Sequence, residues 1–178
     1  MTVNCLIAGI GGQGIVLASK LIAAAAMNRG FEVRTTETIG MAQRGGSVVS
    51  HIRMGDVVFS PLIPIGSADI LISFDPTEAV RQLPYLSENG RLITYDGAAD
   101  MMEFIKKSVP NSVIIPEKTL KERYSRTLNV ALLGAATQSG VFPFDSDALF
   151  EIISAMTRFR EENMESFELG KKLYHEHA

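Results

Sequence analysis

The first thirty residues constrain this chain more than any other part of it. An apolar run, Val3-Asn4-Cys5-Leu6-Ile7-Ala8, leads into Gly9-Ile10-Gly11-Gly12-Gln13-Gly14 and then into the charge-poor segment Ile15 to Met27. That order predicts strand, glycine turn and helix, with the G-x-G-x-x-G spacing of a phosphate-binding βα unit. Without Cβ atoms the chain turns sharply, its amides can approach a ligand, and the helix packs closely on the strand. The helix start then offers unpaired N–H groups and the positive end of a dipole, which suits an anion.

The 178 residues suffice for one domain with a full core, and residues 1–178 are read as that single domain. A hydrophobic fraction of 46% with 21% charged residues is ordinary for a globular protein. The net charge is −3, and residues 145–178 carry eight Asp/Glu against four Lys/Arg. No basic stripe exists, so nucleic acid is not the expected partner. The one cysteine, Cys5, falls inside the first predicted strand and reads as a small buried hydrophobe. With no C-x-x-C, the chain cannot build a four-cysteine iron–sulfur cluster or a zinc knuckle by itself. An intrachain disulfide is equally impossible, which fits a reducing compartment.

Two uncharged stretches need separating from targeting or membrane segments. The first, through Ser19, lacks a basic leader and is broken by glycines. The second, Thr127 to Phe144, contains Asn129, Thr137, Gln138 and Ser139 and reads as a buried helix. A cytoplasmic protein with no membrane partner is expected.

Strands and helices alternate along the chain. Phe31 to Thr36 reads as a second strand, and Ser47 to Met54 as a third. Gly55-Asp56 reads as a tight turn into Val57-Val58-Phe59, making a hairpin with the third strand. Ile70 to Phe74 is a fully apolar strand, followed by Asp75 as an N-cap and Pro76 at the first helical position, with the helix ending near Pro84. Arg91 to Tyr95, entered through Asn89-Gly90, and Ser112 to Ile115 are further strands, with a short helix over Met101 to Lys107 between them. From Thr127 the chain turns helical. Leu149, Ile152, Ile153 and Met156 repeat at helical spacing behind the cap Asp145-Ser146-Asp147, and a last helix covers Glu161 to Tyr174. Apolar runs separated by helices predict a Rossmann-like α/β domain: a mainly parallel sheet, helices on both faces, and a helical C-terminal region.

In such sheets the ligand crevice lies at the carboxyl ends of the strands. There the glycine turn is expected to face a second loop, Met41-Ala42-Gln43-Arg44-Gly45-Gly46-Ser47. Arg44 carries a permanent, forked charge suited to phosphate or carboxylate, and Gly45 and Gly46 let the backbone form an anion nest. The competing reading makes Arg44 a solvated loop residue and the glycines simple turn formers. A dinucleotide site would also want an acid ending the second strand, where Thr35, Thr36 or Glu37 stands. His51 reads as a packed imidazole, and His175 and His177 as part of a frayed end. Asp69, Asp75 and Asp96 fit turn and capping roles, and Asn129 a satisfied buried amide.

Taken together, these two loops resemble the gamma-type domain of 2-oxoacid:ferredoxin oxidoreductases. Ser60-Pro61-Leu62-Ile63-Pro64, Ala68-Asp69-Ile70-Leu71, Asp75-Pro76, and Asn129 before Leu133-Gly134 agree in order and spacing. The resemblance implies a reaction, oxidative decarboxylation of a 2-oxo acid to an acyl-coenzyme A, with aryl pyruvates as the substrate class. It also implies thiamine diphosphate with Mg2+, iron–sulfur clusters, and ferredoxin as electron acceptor. This sequence has no cluster cysteines and no G-D-G motif: Tyr95-Asp96-Gly97 lacks the leading glycine and Gly55-Asp56 the trailing one. Those cofactors are therefore expected on a large (alpha) partner subunit, with no metal held here and no turnover by this chain alone.

The expected ligand is an anion, coenzyme A phosphate or substrate carboxylate. Gly9, Gly11, Gly12, Gln13, Gly14, Gly45 and Gly46 would form the cradle, with Gln43 and Arg44 as side-chain donors. The helices starting at Ile15 and Thr127 would supply apolar surface for the partner or for a homodimer. Two rivals stand beside this: a free-standing NAD(P)-dependent oxidoreductase, and a non-catalytic scaffold whose loops only pack on the large subunit.

Overall fold

A computed structural model of the chain describes residues 2–40 and 45–178, the side chain of Arg123 excepted. Its centre is β1 (Thr2–Ile10), in which Cys5, Leu6, Ile7 and Ala8 are all fully buried. A strand without a polar face needs cover on both sides. β1 pairs in parallel with β4 (Ala68–Ser73) and antiparallel with β3 (Ser47–Gly55). β5 (Leu86–Tyr95) and β6 (Ser112–Ile115) extend the parallel side, and β2 (Glu32–Ile39) closes the other edge, antiparallel to β3. The resulting order is β2-β3-β1-β4-β5-β6. The sheet is mixed and mainly parallel, as expected: β1, β4, β5 and β6 run parallel, and the antiparallel pairings are those of β3 with β1 and β2.

β3 forms its hairpin with β2, not with residues 57–59 as expected. Those residues are not a strand. Their backbone is held by side chains instead: Val58 N–H donates to Glu32 Oε2 at 3.2 Å, and Val58 O accepts from Arg34 Nε at 3.1 Å. Pro61 and Pro64 follow at once, and neither can donate to a ladder. Asn89-Gly90, expected as the entry turn to β5, lies inside that longer strand.

Helices cover both faces unequally. α1 (Ile15–Asn28), α5 (Leu128–Thr137), α6 (Ser146–Met156) and α7 (Arg160–His177) pack on the face bearing Cys5, Ile7, Ile52 and Ile72. α2 (Pro76–Gln82) and α3 (Ala99–Ser108) cover the other face, around Leu6, Leu71 and Leu92. α4 (Glu117–Tyr124) was not foreseen in the sequence; it inserts Leu120 and Tyr124 into the larger core. Asp75 caps α2 by accepting from Thr77 N at 2.8 Å and Glu78 N at 3.1 Å, and Asp145 caps α6 through Ala148 N at 2.8 Å. α7 runs on to His177, and His175 Nε2 lies 3.1 Å from Gln138 Oε1, so this end is docked where fraying was expected.

Of the two charge-poor helices α5 is core and offers no apolar surface, while α1 is largely core and leaves only Leu17 and Met27 exposed among its large apolar side chains. Every residue of α5 from Val130 to Ala136 is buried, as are eight of α1 from Ile15 to Ala26. α5 crosses α7 so closely that a Cβ on Gly170 would overlap the Ala131 carbonyl, and one on Gly134 the Phe167 carbonyl. Among the described residues no helix is long and apolar enough to cross a membrane.

Candidate functional site

Three loops meet at the carboxyl ends of β1 and β4, and each is tied to the next. Gly11 N–H donates to Gly46 O at 2.8 Å, which joins the glycine turn to the end of the β2–β3 loop. Gln13 folds back so that its Oε1 accepts from Ile10 N at 2.7 Å, while its Nε2 donates to Phe74 O at 3.2 Å. Glu78, 3% exposed, closes the circuit: its Oε2 accepts from Ser47 Oγ at 2.7 Å and its Oε1 from Arg81. A buried carboxylate needs such partners to stay charged at low cost. The glycine turn is therefore held from two sides.

Each predicted glycine now has a distinct role. Gly12 (φ 104°), Gly14 (φ 85°) and Gly45 (φ 76°) occupy left-handed backbone that side chains rarely adopt. Gly9 lies within β1, and a Cβ there would come within 2.6 Å of Gln13 Oε1, so it makes room for the staple and not for a ligand. The expected cradle needs correcting at two of its amides. Gly11 N–H is committed to Gly46, and Gln13 N–H to Ile10 O at 3.1 Å. What faces outward is the start of α1, which follows Gly14 with no side-chain cap. Its first-turn N–H groups lack helical acceptors and carry the positive end of the dipole.

In front of that helix start is a cleft of about 360 Å³. It is lined by Gly12 and Gly14 together with Lys121, Arg126, Tyr95 and Asn129. Lys121 Nζ is paired with Glu117 at 2.8 Å, and the Arg126 guanidinium lies 5.6 Å from the centre of the Phe159 ring. An incoming anion would compete with Glu117 for Lys121. Tyr95, buried, donates its hydroxyl to Leu128 O; burial, with Glu117 nearby, pushes its pKa up, so it stays a neutral donor. Asn129 Oδ1 accepts from Val130 N at 2.9 Å, and its Nδ2 would lie 2.5 Å from a Cβ on Gly14. It is half-buried on the cleft wall and not a sealed core amide.

Sequence reasoning missed Lys121 and Arg126 because it left residues 116–126 without an element. The signal was there: Pro116 precedes Glu117 and Lys121, a pair spaced i, i+4 as on a helix surface. Gln43 and Arg44 lie outside the described residues; their neighbours Gly45 and Gly46 adjoin the glycine turn.

The remaining candidates have structural duties. His51 is buried, its Nδ1 accepting from Ile63 N at 3.2 Å, and burial lowers its pKa. Cys5 is sealed in β1, where burial and then the charge of Asp69 raise its pKa, so its thiol is no metal ligand. Among the described residues no three His, Cys, Asp or Glu side chains gather to hold a metal. Asp69 accepts from Asn4 N at 2.7 Å and Asp96 from Glu117 N at 2.8 Å. Glu37 cannot serve as a ribose acid beside β1, because β3 lies between the two strands. Two strand spacings, roughly 9.6 Å, then separate them.

The profile of the pyruvate ferredoxin/flavodoxin oxidoreductase family matches residues 4–173. The chain is 34% identical to indolepyruvate oxidoreductase subunit IorB of Pyrococcus horikoshii, over 95% of this chain and 94% of that one. Among solved structures, the gamma subunit of a keto/oxoacid ferredoxin oxidoreductase from Geobacter sulfurreducens superposes with a TM-score of 0.75 at 21% identity, covering 99% of this chain and 98% of that one. A 2-oxoglutarate:ferredoxin oxidoreductase from Magnetococcus marinus, solved with 2-oxoglutarate, coenzyme A and succinyl-CoA bound, superposes at 0.77 and 21% identity. There the fold covers 98% of this chain but only 31% of the longer one. At these identities the two structures speak to the fold alone.

Proposed function

This chain belongs to the pyruvate ferredoxin/flavodoxin oxidoreductase family, and from that premise we propose that it is the small subunit of an oxidoreductase that decarboxylates a 2-oxo acid, indolepyruvate or a related aryl pyruvate, to an acyl-coenzyme A. The observation that carries this is the match to indolepyruvate oxidoreductase subunits along nearly the full length of both partners. Thiamine diphosphate with Mg2+, the iron–sulfur clusters and the route to ferredoxin belong to a large partner subunit. One buried cysteine and no G-D-G motif leave this chain nothing with which to hold them.

Its own contribution is to bind and orient. The α1 start, Lys121 and Arg126 receive an anion, a phosphate of coenzyme A or the carboxylate of the oxo acid. Gln43 and Arg44 add side chains from the loop that Gly46 ties to the glycine turn. Coenzyme A, when bound, supplies the thiol that accepts the acyl group. Tyr95 stays neutral at the cleft floor, and Asn129 packs against Gly14, so the cleft keeps its shape as Lys121 exchanges Glu117 for the ligand.

The test is steady-state kinetics of the reconstituted complex carrying Lys121→Ala, Arg126→Ala or Arg44→Ala. Removing one charged hydrogen-bonding partner costs about 1.5–3 kcal/mol, so KM for coenzyme A or the oxo acid should rise about tenfold or more with kcat little changed. Unchanged KM for both substrates, in a complex that assembles normally, would remove these residues from the binding account. Oxo-acid turnover by the isolated chain would end the subunit reading. Tight NADH binding to it would favour the free-standing dehydrogenase.

A further inference from the structure

We propose that the segment 57–65 is the surface on which the large partner subunit docks; this rests on the subunit reading above. The segment joins β3 to β4 across the amino ends of the parallel strands, and its side chains divide cleanly in two. Val58 and Ile63 point inward, each 2% exposed. Val57, Phe59, Leu62 and Ile65 point outward at 54%, 93%, 58% and 73% exposure. Four large apolar side chains in nine residues, one a phenylalanine almost wholly in water, exceed the scattered exposure that a surface normally tolerates.

The segment is built, not slack. Besides the Glu32 and Arg34 clamps on Val58, Arg53 Nη1 donates to Ser60 O at 3.1 Å, and His51 receives Ile63 N–H. Gly66 N–H donates to Pro84 O at 2.9 Å, and Asn4 Nδ2 to Ser67 O at 2.9 Å. Two prolines, Pro61 and Pro64, stiffen what lies between. A surface ordered before binding loses little entropy when it is covered, and buried aromatic anchors dominate interface energies.

The large subunit is assigned as occupant for a reason of chain economy. In the Magnetococcus marinus enzyme this fold is 31% of a longer polypeptide. There the chain connection itself keeps the remainder beside the fold. As a separate polypeptide the same fold must hold its partner by surface alone, α5 is spent in the core, and among the described residues the two most exposed large apolar side chains, Phe59 and Ile65, both stand in this segment. Docking at this end also leaves the cleft open. β1 spans roughly 26 Å from Thr2 to the glycine turn.

The experiment measures binding of the isolated small chain to the purified large subunit, for wild type, Phe59→Asp and Leu62→Asp, alongside sedimentation of the small chain alone. The expected result is a monomeric small chain, about 100-fold weaker association for either variant, and an unfolding transition unchanged from wild type because neither side chain is buried. Wild-type affinity in both variants overturns the assignment while leaving the subunit reading intact. A wild-type dimer that Phe59→Asp dissociates overturns it in favour of a second copy of this chain. Failure of wild type to bind any large subunit overturns both readings.

Discussion

α5 and the 57–65 segment are both apolar and nearly free of charge, yet one is sealed in the core and the other faces water. The difference lies in what each backbone can satisfy for itself. α5 is a helix that pairs its own amides and carbonyls, so it can be buried whole, and its glycine lets α7 approach to backbone contact. The 57–65 segment has two prolines and no strand partner, so its backbone depends on Glu32, Arg34, Arg53 and His51 at the rim of the sheet. Apolar composition alone does not decide burial. Backbone satisfaction does.

The comparison is sharpest where the core is tightest. Gly170→Ala should destabilise the fold by about 4 kcal/mol or more, at the extreme for one substitution, because a methyl cannot coexist with the Ala131 carbonyl. Urea unfolding measures it, and a loss under about 1 kcal/mol would mean that the two helices can separate freely. Leu133→Ala, at a fully buried site in α5, should cost about 3 kcal/mol in the same assay.

His51 gives a smaller, pH-dependent effect under the exposed segment. Burial holds its folded pKa below the ordinary value near 6.5, so on acidification the unfolded chain takes up the proton first. Stability should therefore be level above about pH 6.5 and fall below it, as the protonated ring can no longer accept the Ile63 N–H. His51→Gln should lose that component, visible as a smaller drop in the urea midpoint between about pH 7.5 and 5.5. Equal drops in both proteins would show that His51 does not anchor the segment. The smallest effect belongs to Phe59→Ser, which should change folding stability by less than about 0.5 kcal/mol. A large loss there would mean that the outward side chains are core after all.

Much of the fold was legible because its signals are local. Strand, glycine turn and helix at residues 2–28, the Asp75-Pro76 start of α2 and the Asp145 cap of α6 are each written in a few adjacent residues. The β2–β3 hairpin was not, since seven residues separate Ile39 from Ser47 where a tight hairpin leaves two, and Gly45-Gly46 stands at one end of that stretch and not centrally between the strands. The sequence instead offered Gly55-Asp56, a plausible turn in the wrong place. Within the cleft, the glycines announced themselves by type. Lys121 and Arg126 are ordinary surface residues until the fold brings α4 and the turn after it to the cleft at the α1 start, which is a tertiary fact. Gln13 was read as part of the cradle through its backbone; that its side chain is a staple is visible only once Phe74 is beside it.

The clasp between Gly11 and Gly46 uses main-chain atoms at both ends. Substituting Gln43 or Arg44 removes neither of them. Side chains nearby can therefore change through evolution while the seam between the glycine turn and the start of β3 stays in register. A closure written in main-chain atoms survives such change because it asks nothing of the side chains around it.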